Sequence, residues 1–365
     1  MIIPKFLRFK MMEKSGENFR SDVSRFNGEA CHFECEACRF DSESCHFECG
    51  VCPFECGVDR VGRMGVCGLP NKILVSHVQR HFYEEPFISG NACGGGLLTI
   101  SDDMRYDSAD TGAVAEGGGS GTVFFTGCNA RCVFCQNYKI SQKDEWLRRN
   151  KREVSNKELF EICRELVDEG AHNINFVSPT PYSHLLKDFL VKYKDRIGVP
   201  VIWNSNGYEK ASVIAELDGL VDVYLPDLKY FDNDLAVRCS SLPKYFEFAS
   251  EAVAEMLRQV GWPEIGDDGF IKRGLVIRHL VLPGCLDDSK RVLRWIRDEF
   301  GPEAYVALMS QYYPTYKACG MPDLSRGLTE DEHMEIIEYF EGLGFNDGLI
   351  QDLDSADEIY TPDFM

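Results

Sequence analysis

From residue 121 onward the chain alternates between short apolar runs and longer stretches with helical spacing, about six times over. GTVFFTG, NINFVSP, PVIWNSN, VDVYLPDLKY, GLVIRHLVLPG and YVALMSQYYP read as strands. They are apolar on both faces, which suits a sheet covered by helices on both sides. Between them lie amphipathic segments. Ser155 and Glu158 form a capping box for a helix reaching Gly170, with Leu159, Ile162, Cys163, Leu166 and Val167 on one face. Further helices are expected over 184–193 and 211–217, along the stripe Phe248, Ala252, Met256 and Val260, over 289–300, and from Thr329 and Glu332 towards Gly344. This repeat predicts an α/β fold with a parallel sheet. Closed as a barrel, it gathers its strand ends on one face, where chemistry sits. Those ends carry Ser178-Pro179, Asn204-Ser205-Asn206-Gly207, Asp227-Leu228-Lys229, Pro283-Gly284 and Gln311-Tyr312.

The remainder of the 365 residues is organised differently. Residues 1–30 are a polar leader expected to be loosely ordered, and 31–70 are Cys-rich. Residues 71–120 form a connector with a Gly/Asp-rich insertion at 91–117, and the core runs from 121 to 365. CHFECEACRFDSES (31–44) aligns with CHFECGVCPFECGV (45–58), pairing Cys31 with Cys45, Cys35 with Cys49, Cys38 with Cys52 and His32 with His46. This is a small tandem duplication, too short for a solenoid.

Lys and Arg number 39 against 59 Asp and Glu, a net charge of −20. Such a chain is not expected to wrap nucleic acid or lie on an anionic membrane. No apolar run approaches the ~20 residues that span a bilayer. The opening MIIPKFLRFKMMEKSGENF lacks a clean apolar signal region. Sixteen Cys in short spacings, without a secretion signal, point to metal or cluster ligation rather than disulfides. The expected compartment is a reducing, anaerobic cytoplasm.

After the first strand, Cys128, Cys132 and Cys135 stand in a C-x3-C-x2-C spacing. Three soft thiolates within eight residues can converge from one loop onto an iron–sulfur cluster. A four-iron cluster takes four ligands, so three leave one iron open to a small molecule. The alternative is a zinc site, which wants a fourth ligand nearby. In the next thirty-five residues the candidate is Cys163, on an apolar helix face and better read as core. A non-catalytic iron–sulfur or zinc-binding scaffold is the reading of a different class.

This spacing, with aromatic Phe134 before the third Cys and a strand before the first, resembles the radical S-adenosylmethionine enzymes. HFYEEPFISG, SGTVFFTGCNARCVFCQNYKIS, GAHNINFVSPTPY, NSNGYE, VDVYLPDLKY, GLVIRHLVLPG, LMSQYYP and YTPDF extend the likeness across about residues 45–365, apart from the insertion. Within that superfamily the chain is similar to the pyruvate formate-lyase-activating type. The resemblance implies a partial parallel (β/α)6 TIM-type barrel behind a Cys-rich N-terminal extension. It implies a [4Fe-4S] cluster on Cys128, Cys132 and Cys135, whose open iron is chelated by S-adenosylmethionine. One electron, from a flavodoxin or ferredoxin, cleaves that cosubstrate to a 5′-deoxyadenosyl radical. The radical takes a hydrogen atom from a glycine of a partner glycyl radical enzyme, or from another C–H bond in a protein side chain or small molecule.

The same resemblance assigns cosubstrate contacts to Phe134, Ser178, Asn204, Asn206, Asp227, Lys229, Arg278 and His279. Two departures stand out. Asn204 replaces an Asp that helps hold a monovalent cation in activases. Ser178-Pro179-Thr180-Pro181 replaces a Gly-Gly-Glu run that grips the cosubstrate amino group, as it does in the branch this chain resembles. Cys49, Cys52, Cys56 and Cys67 suit a second metal, zinc or an auxiliary cluster.

Overall fold

Strands whose side chains are apolar in both directions demand cover on both faces, and the chain supplies it from its own connecting helices. The computed structural model describes residues 48–90, 97–99, 118–149, 151–356 and 364. The proposed leader and the upstream Cys31, Cys35 and Cys38 lie outside the described residues, as does most of the insertion.

Strand β1 (Ile73–His81) is followed by helix α1 (Pro86–Ser89), β2 (Leu97–Thr99) and β3 (Ser120–Phe125). Helices α2 (Tyr138–Ser141) and α3 (Lys143–Trp146) and strand β4 (Arg152–Val154) come next. The alternation then runs α4 (Asn156–Asp168), β5 (Ile174–Val177), α5 (Ser183–Ile197), β6 (Val201–Ser205), α6 (Ala211–Ala215) and β7 (Val223–Pro226). It continues through α7 (Asn233–Ser240), α8 (Tyr245–Val260), β8 (Glu264–Ile265), β9 (Ile271–Leu275), β10 (Ile277–Leu280), α9 (Leu286–Phe300), β11 (Val306–Met309), α10 (Glu330–Gly342) and β12 (Gly348–Gln351).

Strands β3, β5, β6 and β7 pair in parallel, as do β10, β11 and β12. A parallel bridge between Asp227 and Arg278 joins the two sets into one curved wall. This is the parallel α/β barrel type expected, with β12 adding a seventh parallel strand to the six read from the sequence. GLVIRHLVLPG also proves to be two strands. β9 pairs with β7 low on the wall, and β10 departs after Val276 to pair with β11. Strand β1 is antiparallel to β3, placing Val75 opposite Phe125 and His81 opposite Ser120. Thus Leu74, which accepts from Thr126 N–H, marks the end where the parallel strands finish, and the residues after His81 fall at the opposite end.

The local signals explain the helices. Ser155 caps α4 and Thr329 caps α10, each in a reciprocal capping box with the Glu three residues on. The α4 face buries Leu159, Ile162, Cys163 and Leu166 against β3 and β5. At roughly 1.5–3 kcal/mol for each fully buried large aliphatic side chain, that face rather than helix propensity holds α4 in place. Among the described residues, no helix is long and apolar enough to cross a membrane.

Candidate active site

The loop after β3 is held by backbone pairing on both sides. Gly127 N–H donates to Ile140 O, Arg131 N–H to Ser240 O and Val133 N–H to Cys239 O. Lys317 and Ala318 N–H both reach Val133 O at 2.9 Å. A backbone so tied presents Cys128, Cys132 and Cys135 at the finishing end of the barrel, the first two buried and the third half-buried.

Each of the three sulfurs has its own polar side-chain neighbour. Asn206 Nδ2 donates to Cys128 Sγ at 3.2 Å, and Ser240 Oγ to Cys132 Sγ at 3.0 Å. Ser141 Oγ lies 3.1 Å from Cys135 Sγ. The Ser240 hydroxyl is steered in turn by Tyr230, at 2.6 Å. Burial pushes the Cys135 thiol up to about 12 and raises that of Cys132. Those two bare thiols stay protonated at neutral pH, so loading a metal group must release protons.

The ends of β6 and β7 form the adjoining wall. Tyr245 ties them: its hydroxyl donates to Asp227 O at 2.6 Å, stands 2.9 Å from Asn206 O, and accepts from Lys229 N–H at 3.0 Å. Gly207 turns the chain at φ +75°, and a side chain there would collide with the Asp227 carbonyl. Lys229 Nζ lies 2.5 Å from Asp227 Oδ2, both side chains largely enclosed. Burial opposes the charge on Lys229, but the Asp227 carboxylate beside it holds its ammonium above the ordinary lysine value. It is a fixed point charge beside the sulfurs, suited to a carboxylate on a ligand.

One cleft collects Cys128, Cys132, Phe134, Cys135, Ser178, Asn204, Asn206, Asp227, Lys229 and Arg278. Phe134 packs edge-on against Tyr312 with ring centroids 5.7 Å apart. Ser178 adopts φ +59° and donates its N–H to Asn204 O.

Two of the residues singled out from the sequence sit differently from the rest. His279 is fully buried, does not line the cleft, and points Nδ1 at Leu228 O, 2.7 Å away. Burial pushes its pKa down to about 4, so it is a neutral ring pinning β10 to the β7 end. Arg278 does line the cleft, but its guanidinium is already engaged. Nε donates to Glu85 at 2.8 Å, and NH2 reaches both Glu84 and Glu85. Asn175 Nδ2 completes the Glu84 shell at 2.9 Å. These ions close the far end of the cleft.

Sequence reasoning missed Ser141, Ser240, Tyr245 and the Glu84–Glu85 pair. It also missed Glu209, fully buried behind the wall, which accepts from Thr180 Oγ1, Trp203 Nε1 and Ser205 Oγ. Burial raises the Glu209 pKa against these three donors.

The family model described as the Radical SAM superfamily matches residues 122–296, from within β3 to within α9. Domains of that family imply a [4Fe-4S] cluster and S-adenosylmethionine. The residues fit: three soft sulfurs leave a loop together, each with a polar neighbour, and a fixed cation faces them. Among the described residues, no three His, Cys, Asp or Glu side chains stand close enough to hold one single metal ion. A cube of iron and sulfide spaces its thiolates more widely than one ion does.

The chain is 36% identical over 227 residues to the uncharacterized protein MJ0674 of Methanocaldococcus jannaschii. That match covers 61% of this chain and 62% of the relative. Among solved structures, methylornithine synthase aligns with a TM-score of 0.43 at 14% identity, over 66% of this chain and 72% of the other. A domain of pyruvate-formate lyase-activating enzyme from Bacteroides vulgatus aligns at 0.33 and 15% identity, over 47% of this chain and 92% of the other.

Proposed function

We propose that this chain is a radical S-adenosylmethionine enzyme that abstracts a hydrogen atom from a glycine of a partner protein. The observation that carries the chemistry is the convergence of Cys128, Cys132 and Cys135 with Asp227 and Lys229 on one cleft, within the residues that match the Radical SAM superfamily. Cys128, Cys132 and Cys135 hold the cluster. Bound there, cluster and cosubstrate supply reductive cleavage to a 5′-deoxyadenosyl radical. The chain's own residues position and shield. Lys229, fixed by Asp227, pairs with the cosubstrate carboxylate. Asn204 and Ser178 offer neutral oxygens to its amino group, and Phe134 flanks the adenine. Arg278, paired with Glu84 and Glu85, lines the far end of the cleft.

The glycine is supported by the likeness of NSNGYE, VDVYLPDLKY and the neighbouring segments to activating enzymes. The electron comes from a reduced flavodoxin or ferredoxin.

Anaerobic reconstitution with iron, sulfide, reductant and S-adenosylmethionine tests the reading. 5′-Deoxyadenosine should form, and a partner glycyl radical enzyme should acquire a glycyl doublet in its electron paramagnetic resonance spectrum. An intact cluster that yields no 5′-deoxyadenosine overturns the chemistry. Cleavage without a doublet, across candidate partners, moves the hydrogen donor to another C–H bond.

A further inference from the structure

A second set of cysteines lies outside residues 122–296, in a small knuckle that precedes β1. Its backbone is knitted: Cys49 N–H donates to Val58 O, Gly57 N–H to Cys49 O and Glu55 N–H to Cys52 O. Glu48 and Asp59 form an antiparallel bridge across its base. Cys49, Cys52, Cys56 and Cys67 are all free thiols. Cys52 lies within electrostatic reach of the other three. A methyl group added to Gly65 would sit 3.3 Å from the Cys67 sulfur and 3.6 Å from the Cys56 sulfur, so that residue leaves room for both.

Arg60 is the second, independent observation. It is only 1% exposed. Its NH1 donates to Pro181 O and its NH2 to Pro70 O, each at 2.7 Å, and NH1 stands 3.9 Å from Cys49 Sγ. Its Nε is buried with no partner. Among the described residues no carboxylate pairs with it, whereas Arg278, the other buried arginine, has two. A guanidinium stays charged at any accessible pH, and a buried charge requires an opposite one. Carbonyls supply dipoles but no charge. The groups at hand that can become negative are the thiols.

We infer that Cys49, Cys52, Cys56 and Cys67 together hold a closed tetrathiolate metal centre, with Arg60 as its buried counter-ion. Four thiols lose four protons on binding. Four thiolates around Zn²⁺, or around an oxidised [4Fe-4S]²⁺ cube, carry a net charge of −2, so either occupant answers the arginine. As they stand, no three of these sulfurs are close enough together to hold a single ion. Binding therefore draws them inward or seats the wider cube.

The centre also braces the cleft. Arg60 grips Pro181 in the turn after β5, Lys210 reaches Gly50 O and Glu55 from the β6 side, and Arg131 NH2 donates to Val66 O from the loop that bears the other three cysteines.

The test removes the catalytic triad, so it stands or falls apart from the proposed reaction. Full-length Cys128→Ala/Cys132→Ala/Cys135→Ala protein, prepared anaerobically with both metals present, is analysed for zinc, iron and sulfide per chain. One zinc, or four iron with four sulfide, should remain, and adding Cys52→Ala and Cys56→Ala should remove it. Either content supports the centre and tells the two occupants apart. A triple variant without stoichiometric metal, or metal that survives loss of Cys52 and Cys56, overturns it. If the triple variant does not fold, the wild-type chain serves. Eight iron, or four iron plus one zinc, is expected, and four iron alone refutes the assignment.

Discussion

Ser240 contributes a single hydroxyl, yet that hydroxyl touches both the Cys132 sulfur and the Tyr230 phenol. Hydrogen bonds to ligand sulfurs favour the more negative, reduced cluster. Ser240→Ala should therefore retain iron but shift the reduction potential to more negative values, followed by redox titration with electron paramagnetic resonance. It also strands the buried Tyr230 hydroxyl, at a cost of about 1–3 kcal/mol. Adding Tyr230→Phe should recover stability without restoring the potential, and so separate the two roles. Lys229 gives the complementary result. Lys229→Ala should weaken S-adenosylmethionine binding, read by equilibrium dialysis, while iron content holds. Unchanged binding would remove Lys229 from the cosubstrate contacts.

At the level of elements, the turn after β6 has the least tolerance. Gly207→Ala meets a carbonyl and a positive φ at once, so it should cost on the order of 1–3 kcal/mol and lower the thermal midpoint. Thr329→Ala, which removes a helix cap far from the cleft, should cost about 1 kcal/mol without affecting cosubstrate binding. These elements also show what a sequence discloses. Both capping boxes were legible because cap and partner lie three residues apart. The barrel strands were legible because each lies within a short, mainly apolar run bounded by polar, Pro or Gly residues. Strand β1 was not, because Ser76, His77, Gln79 and Arg80 interrupt its apolar pattern while it still pairs along β3. Strand β12 (GLIQ) was not, because only Leu349 and Ile350 are apolar, between a glycine and a glutamine. The cleft followed the same rule. Cysteines and strand-end residues declare themselves by position, whereas Ser240 meets Cys132 across 108 residues and Glu85 meets Arg278 across 193.

For the molecule as a whole, the Arg278–Glu84–Glu85 cluster matters most, since it joins β10 to the segment after β1 inside the barrel. Removing one partner of such a buried set costs about 3–5 kcal/mol, and Arg278→Met should show that loss at neutral pH in denaturant unfolding. Burial alone would raise the Glu84 carboxyl, but Arg278, with His81 and Asn175, holds it below the ordinary value. Its contribution is thus complete above the unfolded pKa of roughly 4.3, and it fades as pH falls through the lower folded value. Without Arg278, burial favours the protonated form of Glu84, so the stability gap between wild type and variant should narrow as pH falls. A gap that stays constant from pH 7 to pH 3 would show that the arginine does not govern the acid behaviour of Glu84.

Ser178 bends the backbone the way glycine does, yet it is not glycine. Replacing it with glycine should make the fold sturdier, by about 1 kcal/mol, because the left-handed geometry then comes without a steric penalty. In the proposed function the hydroxyl that such a replacement removes serves the cosubstrate. The sturdier variant is therefore expected to be the poorer binder of the cosubstrate, so that at this position durability and performance pull in opposite directions.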